Sequence, residues 1–210
     1  MAGKKKTYIV SLAILLLVGA CINLKQPTYK IDYYTLEYPA VQGFDLETIP
    51  VVIATERFSV APCYNTSRII YRNGPFKRNA YAYHRWRANP GDLVGYLLKR
   101  DMRESGLFEA VVTADSGLLS SYALKGAVDE FFEWDTDESW KAVLSFSIIL
   151  VREDMADKKE TVLLQKSYST KEPLERKDVP SMVQAMSRAM KTVSAEIIND
   201  VYDCLASVHP

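Results

Sequence analysis

Two stretches decide the fold: Tyr122-Ala-Leu-Lys-Gly-Ala-Val-Asp-Glu-Phe-Phe-Glu-Trp134 and Trp140-Lys-Ala-Val-Leu-Ser-Phe-Ser-Ile-Ile-Leu150. Both follow a period of two, the signature of a strand with one buried face. In the first, Tyr122, Leu124, Gly126, Val128, Glu130, Phe132 and Trp134 share a face; in the second, Trp140, Ala142, Leu144, Phe146, Ile148 and Leu150 do. The opposite face of the second mixes Ser145 and Ser147 with Val143, Ile149 and Val151. Asp135 to Ser139 is a polar turn between them, and a second hydrophilic turn, Glu153 to Glu160, leads to a third strand, Thr161 to Tyr168. Three consecutive strands joined in this way form an antiparallel meander with one face wetter than the other.

A helix is expected on each side of this meander. Upstream, Asn89 is suited to cap a helix, Pro90 to open it and Asp92 to sit at its positive end. Leu93, Tyr96, Leu97 and Arg100 recur at three and four, Val94, Leu98 and Met102 widen the stripe, and Gly106 supplies the stop. Downstream, Asp178 caps and Pro180 opens a helix of ~25 residues, ~38 Å long. Its apolar stripe runs through Met182, Met186, Ala189 or Met190, Val193, Ile197, Val201 and Leu205, with Cys204 beside it.

Before the first helix, Ile31–Tyr38 and Pro50–Phe58 are β-branched and aromatic, as strands are. Arg68–Arg72 and Ala80–Trp86 flank the turn signal Asn73-Gly74-Pro75, which predicts a hairpin. Leu107–Val112 is a further short strand. The fold expected is α+β: one layered domain in which two amphipathic helices cover a mostly antiparallel sheet.

The N-terminus places this domain. Lys4-Lys5-Lys6, the apolar run Ile9–Leu17 and Val18-Gly19-Ala20-Cys21 follow the order of a secretory signal, with an apolar run too short to span a bilayer. Val-Gly-Ala-Cys resembles the bacterial lipobox, whose cysteine is acylated and becomes the first mature residue. Residues 1–20 are thus expected to be a signal peptide, 21–30 a lipidated tether starting at Cys21, and 31–206 the folded domain. Ile22 is not the Asp that by resemblance marks inner-membrane retention, so the expected location is the periplasmic face of the outer membrane.

Charge and chemistry narrow the function. Without residues 1–20 the 26 basic residues become 23 against 26 acidic, a charge near −3. That sign disfavours binding to nucleic acid and to anionic lipid through a polybasic patch, leaving acyl chains to hold the membrane. Cys63 and Cys204 either pair in an oxidising compartment or stand as two separate thiols. Neither has a neighbouring Cys or His at a ligand spacing, so no metal and no cofactor is expected. The histidines are His84 and His209. Without a Gly-x-Ser-x-Gly elbow, a phosphate loop or a His-Glu-x-x-His motif, no enzyme is expected.

Set in order, these elements resemble the ABC-type transport auxiliary lipoprotein component family. The residues that carry the likeness are the lipobox, Tyr33-Tyr34-Thr35-Leu36, the strand Val51–Phe58 before Val60-Ala61-Pro62, Arg68-Ile69-Ile70-Tyr71-Arg72, Tyr83-His84-Arg85-Trp86, and the long strand ending in Phe131-Phe132. The Ala- and Met-rich last helix completes it. The cysteine in Ala61-Pro62-Cys63-Tyr64 departs from the pattern. The resemblance implies a partner with a mammalian-cell-entry domain, part of a transporter moving lipid between membranes, with the lipoprotein docking its conduit to the outer membrane. A homo-oligomeric ring would match such a conduit. Two other roles remain open: an assembly or plug lipoprotein for an outer-membrane barrel, and a lipid-carrying periplasmic domain.

The candidate contact residues are Arg68, Arg72, Tyr83, Arg85 and Trp86. The arginines meet either a partner's acids or only water, and Trp86 serves either a partner or the core. Tyr83 and Trp86 should face opposite ways on a strand. Met182, Met186 and Met190 form either a lipid groove or plain core. The aromatic hairpin from Phe131 to Trp140 is a further candidate contact, against which its acidic tip argues.

Overall fold

The computed structural model describes residues 29–136, 138–154 and 159–209; the signal segment, Cys21 and Ile22 lie outside them. The strands are β1 (Asp32–Tyr34), β2 (Ile49–Thr55), β3 (Ser59–Val60), β4 (Arg68–Arg72), β5 (Asn79–Trp86), β6 (Phe108–Thr113), β7 (Tyr122–Asp135), β8 (Trp140–Asp154) and β9 (Lys159–Pro173). The helices are α1 (Pro90–Glu104) and α2 (Val179–Ala206). Residues 31–210 form one unit.

The expected meander is present: β7 pairs antiparallel with β8, and β8 with β9. The rest of the sheet is not mostly antiparallel. Of the eight strand pairings, five are parallel and three antiparallel. The cause is β7, whose free edge takes three short strands end to end, all parallel to it. These are β2 at Tyr122–Leu124, β3 at Ala127–Val128 and β4 at Glu133–Trp134. Strand β6 extends β2 on one arm, while β5 and then β1 extend β4 on the other. The class is α+β with a curled mixed sheet, since parallel neighbours separated in sequence need crossovers and α1 lies in one of them.

The shared face expected for β7 also breaks. Val128 pairs with Phe146 and Glu130 with Ser145, so Asp129 is an extra residue, a β-bulge. Beyond it the parity of the strand inverts. Phe131 and Glu133 join Leu124 and Val128 on the helix-covered face, while Phe132 and Trp134 turn to the other side. There Tyr64 stacks on Phe132 at 5.7 Å and 7°, a second, smaller layer of packing.

Both helices cover the same face. On it Ala142, Leu144, Phe146, Ile148 and Leu150 of β8 are fully buried. The Tyr168 hydroxyl on β9 donates to Asp200 Oδ2 of α2 at 2.7 Å. Phe58 lies on this face against Phe146 and directly over Gly126, where a Cβ would come within 2.5 Å of its ring. α1 packs on Phe58 in turn through Gly91 and Gly95.

The helix ends follow the sequence. Asn89 Oδ1 accepts from Gly91 N at 3.0 Å, Asp178 Oδ1 from Ser181 N at 2.8 Å, and Gly106 takes φ 70° just past α1. Tyr96, expected in the apolar stripe of α1, faces water, and Asp101 is buried instead. That carboxylate accepts from Tyr38 Oη at 2.6 Å and from both Nε (3.0 Å) and Nη2 (2.7 Å) of Arg100, whose guanidinium lies over Tyr38. The buried charge is paired and hydrogen-bonded, as a buried charge must be.

Candidate functional site

The β4–β5 hairpin carries the expected contact residues and divides them. Trp86 closes β5 and is 1 % exposed, its ring edge-on to Phe131 at 5.1 Å. It pins the hairpin to the core and is withdrawn from any partner. Tyr83 faces the other way and is 41 % exposed, as strand alternation requires.

Arg85 lies on the solvent side with Tyr83. In register it sits between Arg68 of β4 and Tyr33 of β1, and Tyr33 is 56 % exposed. Arg87 places its guanidinium over the Tyr33 ring at 5.5 Å. Arg68, Tyr83 and Arg85 therefore come together at the hairpin base, and Tyr33 and Arg87 complete the patch. Arg72 stands apart, near the tip. It donates to Gly74 O at 2.9 Å and lies over Trp134 at 5.0 Å.

The electrostatics of this arm were hidden in the total charge. From Arg57 to Gly91 the chain has seven cations (Arg57, Arg68, Arg72, Lys77, Arg78, Arg85 and Arg87) and no carboxylate side chain. Arg57 forms a bidentate pair with Asp92 at 2.8 and 3.0 Å. Elsewhere carbonyls, hydroxyls and rings meet the guanidinium groups: Tyr81 O and His84 O for Arg85, Tyr64 Oη for Arg78. Contacts of this kind carry no opposing charge, so they leave on the arm a positive potential that an anionic partner can meet. An acid-free run of this length is visible in sequence; averaging charge over the whole chain erased it.

One buried carboxylate marks the joint between hairpin and meander. Glu133 is paired in register with Tyr71 and accepts from Tyr81 Oη at 2.9 Å. Burial holds its carboxyl above the ordinary glutamate value, against the opposing effect of the Tyr81 hydrogen bond. The same burial, with Glu133 beside it, pushes the Tyr81 phenol up.

The other candidates resolve into structure. Met182, Met186 and Met190 are fully buried, so they form core and not a groove. Phe131 and Phe132 are buried too, and cations cover the tryptophans: Lys171 lies 4.8 Å from Trp134 and Lys177 5.0 Å from Trp140. Cys63, exposed in the β3–β4 connection, and Cys204, in the last turns of α2, are both free thiols; the disulfide pairing is not formed. His84 Nδ1 lies 3.3 Å from Tyr34 Oη, and His209 Nε2 lies 2.6 Å from Tyr122 Oη. Among the described residues no group of three or more His, Cys, Asp or Glu could hold a metal ion, and no helix is long and apolar enough to cross a membrane.

Residues 34–198 match the family described as ABC-type transport auxiliary lipoprotein component. The chain belongs to this family. It is therefore an auxiliary lipoprotein of an ABC-type transport system. Its fold is similar to that of protein XCC0632 from Xanthomonas campestris, with TM-score 0.75, 17 % identity, and coverage of 85 % of this chain and 99 % of that one. It is also similar to the hypothetical protein CT253 from Chlamydia trachomatis, with TM-score 0.52, 10 % identity, and coverage of 76 % and 99 %. These likenesses are of fold alone. No curated protein matches the chain significantly in sequence.

Proposed function

We propose that this auxiliary lipoprotein is a non-enzymatic docking component, anchored through Cys21 on the periplasmic face of the outer membrane. It receives the conduit of a transporter with a mammalian-cell-entry domain, for movement of lipid between the two membranes. The observation that carries the reading is the solvent face of the hairpin base. Arg68, Arg85 and Arg87 stand with Tyr33 and Tyr83 on a strand platform pinned by Trp86. Arginine and tyrosine are the side chains that interfaces favour, because they give large contact area with directional hydrogen bonds. Family membership supplies the transport setting, and a ring of copies would present several such faces to one conduit.

Co-purification tests it. The native chain should retain a mammalian-cell-entry protein from its own transport system, and the Arg68→Glu/Arg85→Glu double variant should lose it while still folding. Equal retention by the double variant would overturn the assignment of this face.

A further inference from the structure

We infer that the tip of the β4–β5 hairpin, Asn73 to Arg78, is a second membrane contact that seats Phe76 in the surface of an anionic bilayer. The proposal rests on the lipid anchor of the preceding reading and adds a site distinct from the hairpin base. Phe76 is 97 % exposed, and Pro75, Lys77 and Arg78 beside it are exposed as well. An aromatic ring flanked by cations suits the polar–apolar boundary of a bilayer: the ring enters the acyl region while the cations meet phosphates.

The apex is fixed in place. Asn79 Nδ2 donates to Asn73 Oδ1 at 3.1 Å, and Arg72 Nε closes on Gly74 O. Arg78 ties the turn to Tyr64 Oη at 3.2 Å and lies over Phe132 at 5.3 Å. Phe76 is thus presented on a braced turn that spends little entropy on contact.

Three observations favour a bilayer over an acidic protein. The first is direction. β1 runs parallel to β5 with Asp32 beside His84, so the chain enters β1 from the side on which the hairpin tip lies. The second is charge: the tip itself lies within the acid-free segment; of the acids in the adjoining β7–β8 turn, Asp135 is held by Lys177 Nζ at 3.0 Å and Trp140 Nε1 at 2.6 Å, and Glu138 is exposed. The third is shape. Phe76 stands at an apex where, among the described residues, its exposed turn neighbours are Pro75, Lys77 and Arg78, which fits a planar fluid surface; a protein hot spot is a cluster in a pocket.

The test uses the full lipidated chain, with Phe76→Trp as a depth probe and the emission of the wild type, which has Trp86, Trp134 and Trp140, subtracted. The protein is placed in vesicles of brominated phosphatidylcholine, with or without one third phosphatidylglycerol. Quenching of the introduced indole in the anionic vesicles, weakened at least about fivefold in its insertion equilibrium by Lys77→Glu, is expected. A chain that floats with the vesicles while the introduced indole stays unquenched removes the tip contact alone. A chain that floats with no vesicle removes the anchor and the tip contact together. Quenching equal in both lipids and untouched by Lys77→Glu overturns the electrostatic recognition. Protection of the introduced indole only on adding the transporter protein assigns the tip to that partner and overturns the proposal.

Discussion

In the β7–β9 meander, Leu144, Phe146, Ile148 and Leu150 disappear under α2, and even the far side of β7 is roofed by Tyr64. In the β4–β5 hairpin only Ile69, Ile70 and Trp86 are buried, and Arg68, Tyr83, Lys77 and Phe76 remain in water. Both regions are antiparallel pairs rich in aromatic side chains, yet one holds the fold and the other is displayed by it. What separates them is how many residues reach the core. A strand covered on one face by a 28-residue helix gains burial at every second position, while a hairpin held at its base gains it at a few. Positions that carry little stability are free to carry recognition.

This contrast can be broken at its hinge. Trp86→Ala removes the pin between hairpin and core and should cost about 3–5 kcal/mol in urea unfolding; a loss under about 1 kcal/mol would mean that the hairpin is not held there. Inside the meander, Gly126→Ala drives a Cβ into the Phe58 ring, an overpacking worth about 1–3 kcal/mol in the same measurement. A smaller effect is expected at the joint. Because burial raises the Glu133 carboxyl, the native state keeps its proton at a pH where the unfolded chain has lost it. Stability then falls as pH rises from the ordinary glutamate range through the raised native value. Glu133→Gln should therefore raise the melting temperature above that window, and the gain should vanish near about pH 3, a full unit below the ordinary glutamate range, where both states are protonated. On the display side, Arg68 and Arg85 are like charges directly opposed in register. Arg68→Glu should leave thermal stability nearly unchanged or raise it by about 0.2–1 kcal/mol; a loss above that size would show that the hairpin base is structural after all.

Much of this was legible in the chain. The meander, both helices and their caps follow from periodicity and from Asn89, Pro90, Gly106, Asp178 and Pro180, because these are local signals with local causes. The parallel arms were not, since the partners of Ile53, Ser59 and Tyr71 on β7 lie far along the chain and no local pattern names them. Of the contact residues, Arg68, Tyr83 and Arg85 do converge on one face, while Trp86 packs inward and Arg72 belongs to the tip. Tyr33 and Arg87 joined that face only through the pairing of β1 with β5. Phe76 carried no periodic signal at all; its meaning lies in the missing carboxylates around it.

Asp129 has a consequence for how this chain can change. It is the unpaired residue that lets one continuous strand serve two differently oriented layers. Removing it alone would leave Val128 opposite Phe146 and Glu130 opposite Ser145, so Phe131 and Glu133 would stay under the helices and only the local bend and extra twist of the bulge would be lost. A residue lost or gained at a regularly paired position of β7 or β8, away from the bulge, has no such slack and turns the side chains beyond it to the opposite face, so the length of these strands is held more tightly than their composition.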